Sequence, residues 1–122
     1  MDYTSTRNSK QKISSSEAIL RGISSDGGLF VPTSFPQVSL EDIKKMPEMT
    51  YRERAASILK LYLTDMGENV ISDCVNKAYG SRFDCDEIAP VRKINEHEWM
   101  LELWHGPTLA FKDMALQLLP HL

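Results

Sequence analysis

The stretch 101–117, LELWHGPTLAFKDMALQ, sets a single lysine, Lys112, behind a glycine–proline loop and among apolar neighbours. The loop is His105-Gly106-Pro107-Thr108. The apolar run after it (Leu109, Ala110, Phe111, Met114, Ala115, Leu116) predicts a helix starting near Leu109, with Thr108 as its N-cap. A helix apolar on most sides belongs in the interior of something larger. A lysine in the first turn meets the positive end of the helix dipole, which repels its charge. Burial beside Leu109 and Phe111 would add to that and favour the neutral amine, the form that attacks an aldehyde. Most single lysines near a helix start are nevertheless surface residues, so environment alone does not decide the chemistry. Asp113 points about 100° away from Lys112 around the helix and reads as a residue that orients its surroundings.

Upstream of this stretch the pattern is that of a hairpin. Val91–Ile94 and Trp99–Trp104 read as two strands with Asn95-Glu96-His97 between them. The second is almost wholly apolar, as expected of a strand buried on both faces, and its one charge, Glu102, needs a partner. Before Pro90 the signals are helical. Glu68–Tyr79 places Val70, Ile71, Cys74, Val75 and Ala78 on one face, so Cys74 reads as a packing residue. Thr50 and Glu53 have capping-box spacing and open a helix to about Thr64, with Tyr51, Ala55, Ile58, Leu59 and Tyr62 as its buried stripe. Ser39 caps a short helix through Met46, with Leu40 and Ile43 inward and Pro47 as the stop. A first helix is expected at 14–23, capped by one of Ser14, Ser15 or Ser16, with Ala18, Ile19, Gly22 and Ile23 on one face. Asp26-Gly27-Gly28 is a turn, and Leu29-Phe30-Val31 is a short strand stopped by Pro32. Residues 1–13 are polar and read as extended or partly mobile.

Composition narrows the classes. The chain has 122 residues, 42% hydrophobic and 25% charged, which suits a globular domain with a core and argues against disorder. A net charge of −3 without a Lys/Arg cluster argues against a nucleic-acid or membrane-surface binder. Cys74 and Cys85 belong to no CxxC pair, and the histidines show no metal-ligand spacing against them. No secretory h-region or membrane-length apolar run is present, and the Ser- and Lys-rich window 4–16 is not amphipathic. The expectation is a cytoplasmic protein with reduced thiols.

The stretch Glu102–Asp113, ELWHGPTLAFKD, resembles the cofactor-lysine motif of threonine synthase, a fold-type II pyridoxal-phosphate enzyme of α/β class. Two further segments resemble the same family in the same order: Tyr3-Thr4-Ser5-Thr6-Arg7, and Glu17-Ala18 with Gly22 and Asp26-Gly27-Gly28-Leu29-Phe30-Val31-Pro32. The family follows its Ser-Thr-Arg with glycine; here Asn8 stands there, a residue that tolerates left-handed backbone. The resemblance implies that Lys112 binds pyridoxal 5'-phosphate covalently, as both cofactor-binding and catalytic residue. It further implies conversion of O-phospho-L-homoserine and water to L-threonine and phosphate, the last step of threonine biosynthesis. The freed amine would move protons between Cα and Cβ while the ring acts as electron sink. His105 and Thr108, flanking the lysine on a loop, are candidate substrate contacts.

None of the six glycines forms a phosphate-cradling loop. The implied division is a threonine synthase-type N-terminal domain over 1–90 and the start of the cofactor-binding domain over 91–122, mainly helical with a β-hairpin leading into the lysine helix. The rest of the same polypeptide is expected to complete the site, and the chain by itself to be inactive. Two rivals stand beside this reading: a threonine synthase-like phospho-lyase, and a non-catalytic relic of the N-terminal domain serving as a binding module.

Overall fold

A computed structural model describes all 122 residues. Tyr3–Ser5 (β1) and Asn8–Ile13 (β2) form an antiparallel hairpin, and Phe30–Pro32 (β3) pairs with the other edge of β1, giving the order β2-β1-β3. The extended reading of 1–13 therefore holds, with 3–5 and 8–13 as strands joined by a turn. Asn8 needs no left-handed backbone: it opens β2 opposite Ser5, and its side-chain carbonyl accepts from the Lys10 amide at 3.1 Å.

Ser15–Arg21 (α1) is capped by Ser14, whose hydroxyl accepts from the Glu17 amide. Gly22 ends the helix at φ 67°, donating its N–H to Ala18. Ile23, expected inward, is exposed because the chain has already left the helix. Asp65 sits at the positive end of α1, accepting from the Ser15 hydroxyl and, at 3.1 Å, from the Ser16 amide.

Leu40–Lys45 (α2) has the expected Ser39 cap and runs into a 3-10 turn at Met46–Glu48. Its Leu40 and Ile43 face outward instead of inward, because no layer of these 122 residues covers that side. Tyr51–Tyr62 (α3) opens with a complete capping box, Thr50 and Glu53 each accepting from the other's backbone amide. It packs against Glu68–Ala78 (α4). Together they build the core: Ala56 and Leu63 meet Ile71, Cys74, Val75, Ala78 and Tyr79, closed off by Phe83, Ile88 and Leu118. Burying Ile71 and Val75, each 1% exposed, contributes about 1.5–3 kcal/mol apiece. The predicted stripe of α3 holds at Tyr51, Ala55 and Leu59, which pack against the core, but Ala56 is buried in place of Ile58, which is exposed; on α4, Val70 is likewise outside.

Val91–Lys93 (β4) pairs antiparallel with Trp99–Leu101 (β5), Arg92 opposite Met100. The hairpin is where the sequence placed it, but β5 is not buried on both faces. Trp99 is 60% exposed and Met100 and Leu101 are also open, because the residues present supply no layer above or below it.

The single helix expected from Leu109 does not form. Turns occupy 107–112, a short helix covers Asp113–Leu116 (α5), and a 3-10 turn follows at Leu119–His121. Leu109 takes a left-handed φ of 59°, which breaks helical continuity. This terminal segment is tied at three points to α4, to the residue that follows it and to the core. The Tyr79 hydroxyl donates to the Met114 carbonyl at 2.6 Å, the Cys74 thiol lies 2.7 Å from the His121 carbonyl, and Leu118 enters the core. Cys74 is thus a packing residue, as its face predicted.

Candidate functional site

The loop bearing Lys112 is fastened on both sides. On the C-terminal side Asp113, 1% exposed, reaches back along the chain. Its carboxylate accepts from the Thr108 amide at 2.8 Å and the Thr108 hydroxyl at 2.9 Å. Gly106 makes this possible: a Cβ there would lie 2.5 Å from Asp113 Cβ and Oδ2. Desolvation pushes the Asp113 carboxyl up, but the Thr108 amide, the Thr108 hydroxyl and the Gln117 amide pull it down further, and it ends below its ordinary value. Thr108 is therefore not an N-cap. Its amide and hydroxyl donate to the Asp113 carboxylate, a charged acceptor that makes strong hydrogen bonds, and no helix amide donates to its hydroxyl because the helix opens only at Asp113.

On the N-terminal side His105 lies between two carboxylates. Nδ1 is 2.6 Å from Asp84 Oδ1 and Nε2 is 2.8 Å from Glu102 Oε2. The Glu102 and Asp84 hydrogen bonds raise the imidazole above its ordinary value, against a smaller desolvation effect. Trp104 stacks on the ring, centroids 5.6 Å apart. Glu102 has found the partner its position called for, and Arg92 adds a second at 3.8 Å. With both ring nitrogens engaged, His105 would have to release a carboxylate to touch a substrate.

Lys112 stands at the N-cap position of α5, exposed, with no salt bridge among those the structure contains. The burial anticipated beside Leu109 and Phe111 is absent, since both are exposed as well. An open apolar depression lined by Leu103, Phe111, Met114, Ala115 and Leu116 adjoins it. An unpaired primary amine on a held loop has the chemistry that an aldehyde cofactor needs for attachment. The structure brings Thr108 to Asp113 and His105 to Asp84 and Glu102, and joins neither to the Lys112 side chain. Asp84 was missed by sequence reasoning, because nothing in a loop 21 positions away marks it as the imidazole's partner.

A second cluster lies in the N-terminal sheet. Ser5, almost fully buried, donates to Asp26 Oδ1 at 2.8 Å, and the Gly28 amide donates to the same oxygen at 2.8 Å. Arg7 Nη1 donates to the Asp26 carbonyl at 3.0 Å. The two N-terminal motifs, 3–7 and 26–32, are thus one structural unit, β1 lying against β3 with Ser5 opposite Phe30.

A family model described as threonine synthase N terminus matches residues 2–79, more than half of the chain. The chain belongs to the threonine synthase family. It is 43% identical over 119 residues to human threonine synthase-like 1, covering 93% of this chain and 16% of that protein. It is 40% identical over 123 residues to threonine synthase of Pseudomonas aeruginosa, covering all of this chain and 26% of that one. The crystal structure of pyridoxal-phosphate-bound threonine synthase from Brucella melitensis superposes with a TM-score of 0.92 at 38% identity, over 99% of this chain and 26% of that one. The chain therefore has the fold of the corresponding region of threonine synthase and spans about a quarter or less of these relatives' length. No helix is long and apolar enough to cross a membrane.

Proposed function

We propose that these 122 residues are the N-terminal part of a threonine synthase acting on O-phospho-L-homoserine, with Lys112 as the pyridoxal-phosphate lysine. The observation that carries the reading is Lys112 itself. In a chain of this family, the lysine of ELWHGPTLAFKD projects unpaired from a loop held by Asp113 on one side and His105 on the other. Membership of the family and the cofactor in the Brucella relative support the same cofactor here. When bound, that cofactor supplies an electron sink for charge developing at the substrate's Cα.

The chain's own residues contribute attachment, position and proton transfer. The Lys112 amine would hold the cofactor through its aldehyde carbon and, when free, would hold and deliver protons at Nζ. Asp113 and Gly106 fix the direction from which that amine arrives, and Thr108 completes their clasp. The division at residue 90 follows from this reading. Residues 1–90 form the helical and three-stranded part, while 91–122 carry the hairpin and lysine loop and present Trp99, Met100, Leu101 and Phe111 to the remainder of the polypeptide. That remainder supplies the groups for the cofactor's phosphate and ring nitrogen, in the cytoplasm.

The experiment is product analysis of the complete enzyme, loaded with pyridoxal phosphate and given O-phospho-L-homoserine. Threonine and phosphate in equal amounts support the reading. Formation of 2-oxobutyrate and ammonia would replace it with a phospho-lyase, and no lysine-dependent turnover would reduce this chain to a binding module.

A further inference from the structure

Three parts of the chain meet at His105. The loop after α4 brings Asp84, the strand β4 brings Arg92, and the segment leaving β5 brings Glu102 and Trp104. The backbone reinforces the meeting, since the Asp84 amide donates to the His105 carbonyl at 3.0 Å and the Glu102 amide to the Pro90 carbonyl at 2.9 Å. Both ring nitrogens face carboxylate oxygens, at 2.6 and 2.8 Å. A neutral imidazole has one N–H and one bare lone pair, so one carboxylate would then oppose a lone pair. Only the imidazolium, donating from both nitrogens, satisfies the pair. The ring side chain is 15% exposed and that of Glu102 17%, so water cannot easily substitute for a donor lost on the Glu102 side, whereas Asp84, 66% exposed, turns to solvent when its donor is lost and lets the two loops part. The charges around it are Asp84 and Glu102 in contact, Arg92 behind Glu102, and Glu87 at 3.6 Å from Arg92.

We propose that His105 is a positioning residue whose imidazolium pins the Lys112 loop to the loop after α4, and that loss of its proton unfastens the lysine. Its bearing on catalysis rests on the reading of Lys112 as the cofactor lysine. The loop would then have two unlike fasteners. The Asp113 clasp keeps its charge from weakly acidic pH upward, whereas the His105 clasp is lost as pH rises. The reach of Lys112 is set by their combination, seven residues from one and one residue from the other.

The test uses the complete polypeptide loaded with pyridoxal phosphate, with two readouts between about pH 5.5 and about 9.5. The first is amide hydrogen exchange of peptides spanning 103–113, corrected for intrinsic rate. The second is borohydride reduction followed by mass spectrometry, which counts pyridoxyl groups on Lys112. The wild type is expected to lose protection at least ~5-fold in one titration step, with labelling of Lys112 falling in the same step. In Glu102→Gln, where one carboxylate becomes a neutral amide, the step should move down by roughly one pH unit, and Asp84→Asn should do the same. His105→Gln should have no step and low protection throughout. A residue of merely structural importance would lower protection without moving a midpoint. A flat wild-type profile, or a step that survives in His105→Gln or stays put in both carboxylate variants, overturns the proposal. Absence of label on wild-type Lys112 at every pH, with the exchange step intact, overturns its catalytic half and the cofactor-lysine reading with it.

Discussion

Replacing Gly106 by alanine probes the clasp that aims Lys112. The added Cβ would sit 2.5 Å from Asp113 Cβ and Oδ2 and 2.8 Å from Cγ, where ordinary contact begins near 3.4 Å. One of the colliding atoms is Asp113 Cβ, which cannot swing aside without moving the backbone at the start of α5. Relief by about 1 Å would stretch the two Thr108 bonds, now 2.8 and 2.9 Å, out of hydrogen-bond range. Overpacking of this kind costs about 1–3 kcal/mol. With a urea slope of about 2 kcal/mol/M, the midpoint should fall by roughly 0.5–1.5 M. The assay is equilibrium urea unfolding followed by tryptophan fluorescence, since Trp104 lies beside the loop. Gly80→Ala is the control: its Cβ would meet only the Asn76 carbonyl at 3.5 Å, an ordinary contact, so its stability should hold within about 0.5 kcal/mol. A Gly106→Ala protein as stable as the control would refute the claim that close approach of loop and carboxylate holds this site together.

Gly28→Ala should be at least as damaging, since its Cβ would fall 2.1 Å from the buried Ser5 hydroxyl; a loss of about 2–4 kcal/mol in the same assay is expected from overpacking and the broken Ser5–Asp26 bond. Tyr79→Phe removes the 2.6 Å bond to the Met114 carbonyl and should cost about 1 kcal/mol, with faster amide exchange concentrated in 113–118. Stability should also fall on both sides of a plateau in pH. Asp26, Asp65 and Asp113 are all held below the ordinary 3.8, so their contribution is present above that value and lost as pH falls through the lower folded values. His105 is held above 6.5, so its contribution is complete below 6.5 and lost as pH rises through the raised value. Urea midpoints measured across pH should therefore peak between about 4 and about 6.5, and His105→Gln should flatten the alkaline side.

Local chemistry made much of this fold legible. The caps at Ser14, Ser39 and Thr50 stand where their side chains dictate, because each decides a few backbone hydrogen bonds within its own turn, whereas Gly22, expected on the helix face, ends α1 instead. The hairpin at 91–101 was equally readable from its turn residues. What escaped depended on partners distant in sequence. The β2 stretch NSKQKI has no apolar alternation, and it is a strand because β1 is pinned between it and β3. The terminal helix failed because Asp113 captures Thr108 and Leu109 turns left-handed, an arrangement that apolar periodicity cannot register. At the site, Lys112 was found through the motif around it, whereas the expected burial depends on chain beyond these residues. Glu102 announced itself as a charge wanting a partner, but Asp84 could not be matched to His105 without the fold.

The measurement that tests the central claim most directly is the absorbance of the complete protein after addition of pyridoxal phosphate, beside a Lys112→Ala variant. The account predicts a band near ~410–430 nm in the wild type, absent from the variant, with borohydride fixing the pyridoxyl group on Lys112. A band of equal intensity in both proteins, or none in either, would contradict it.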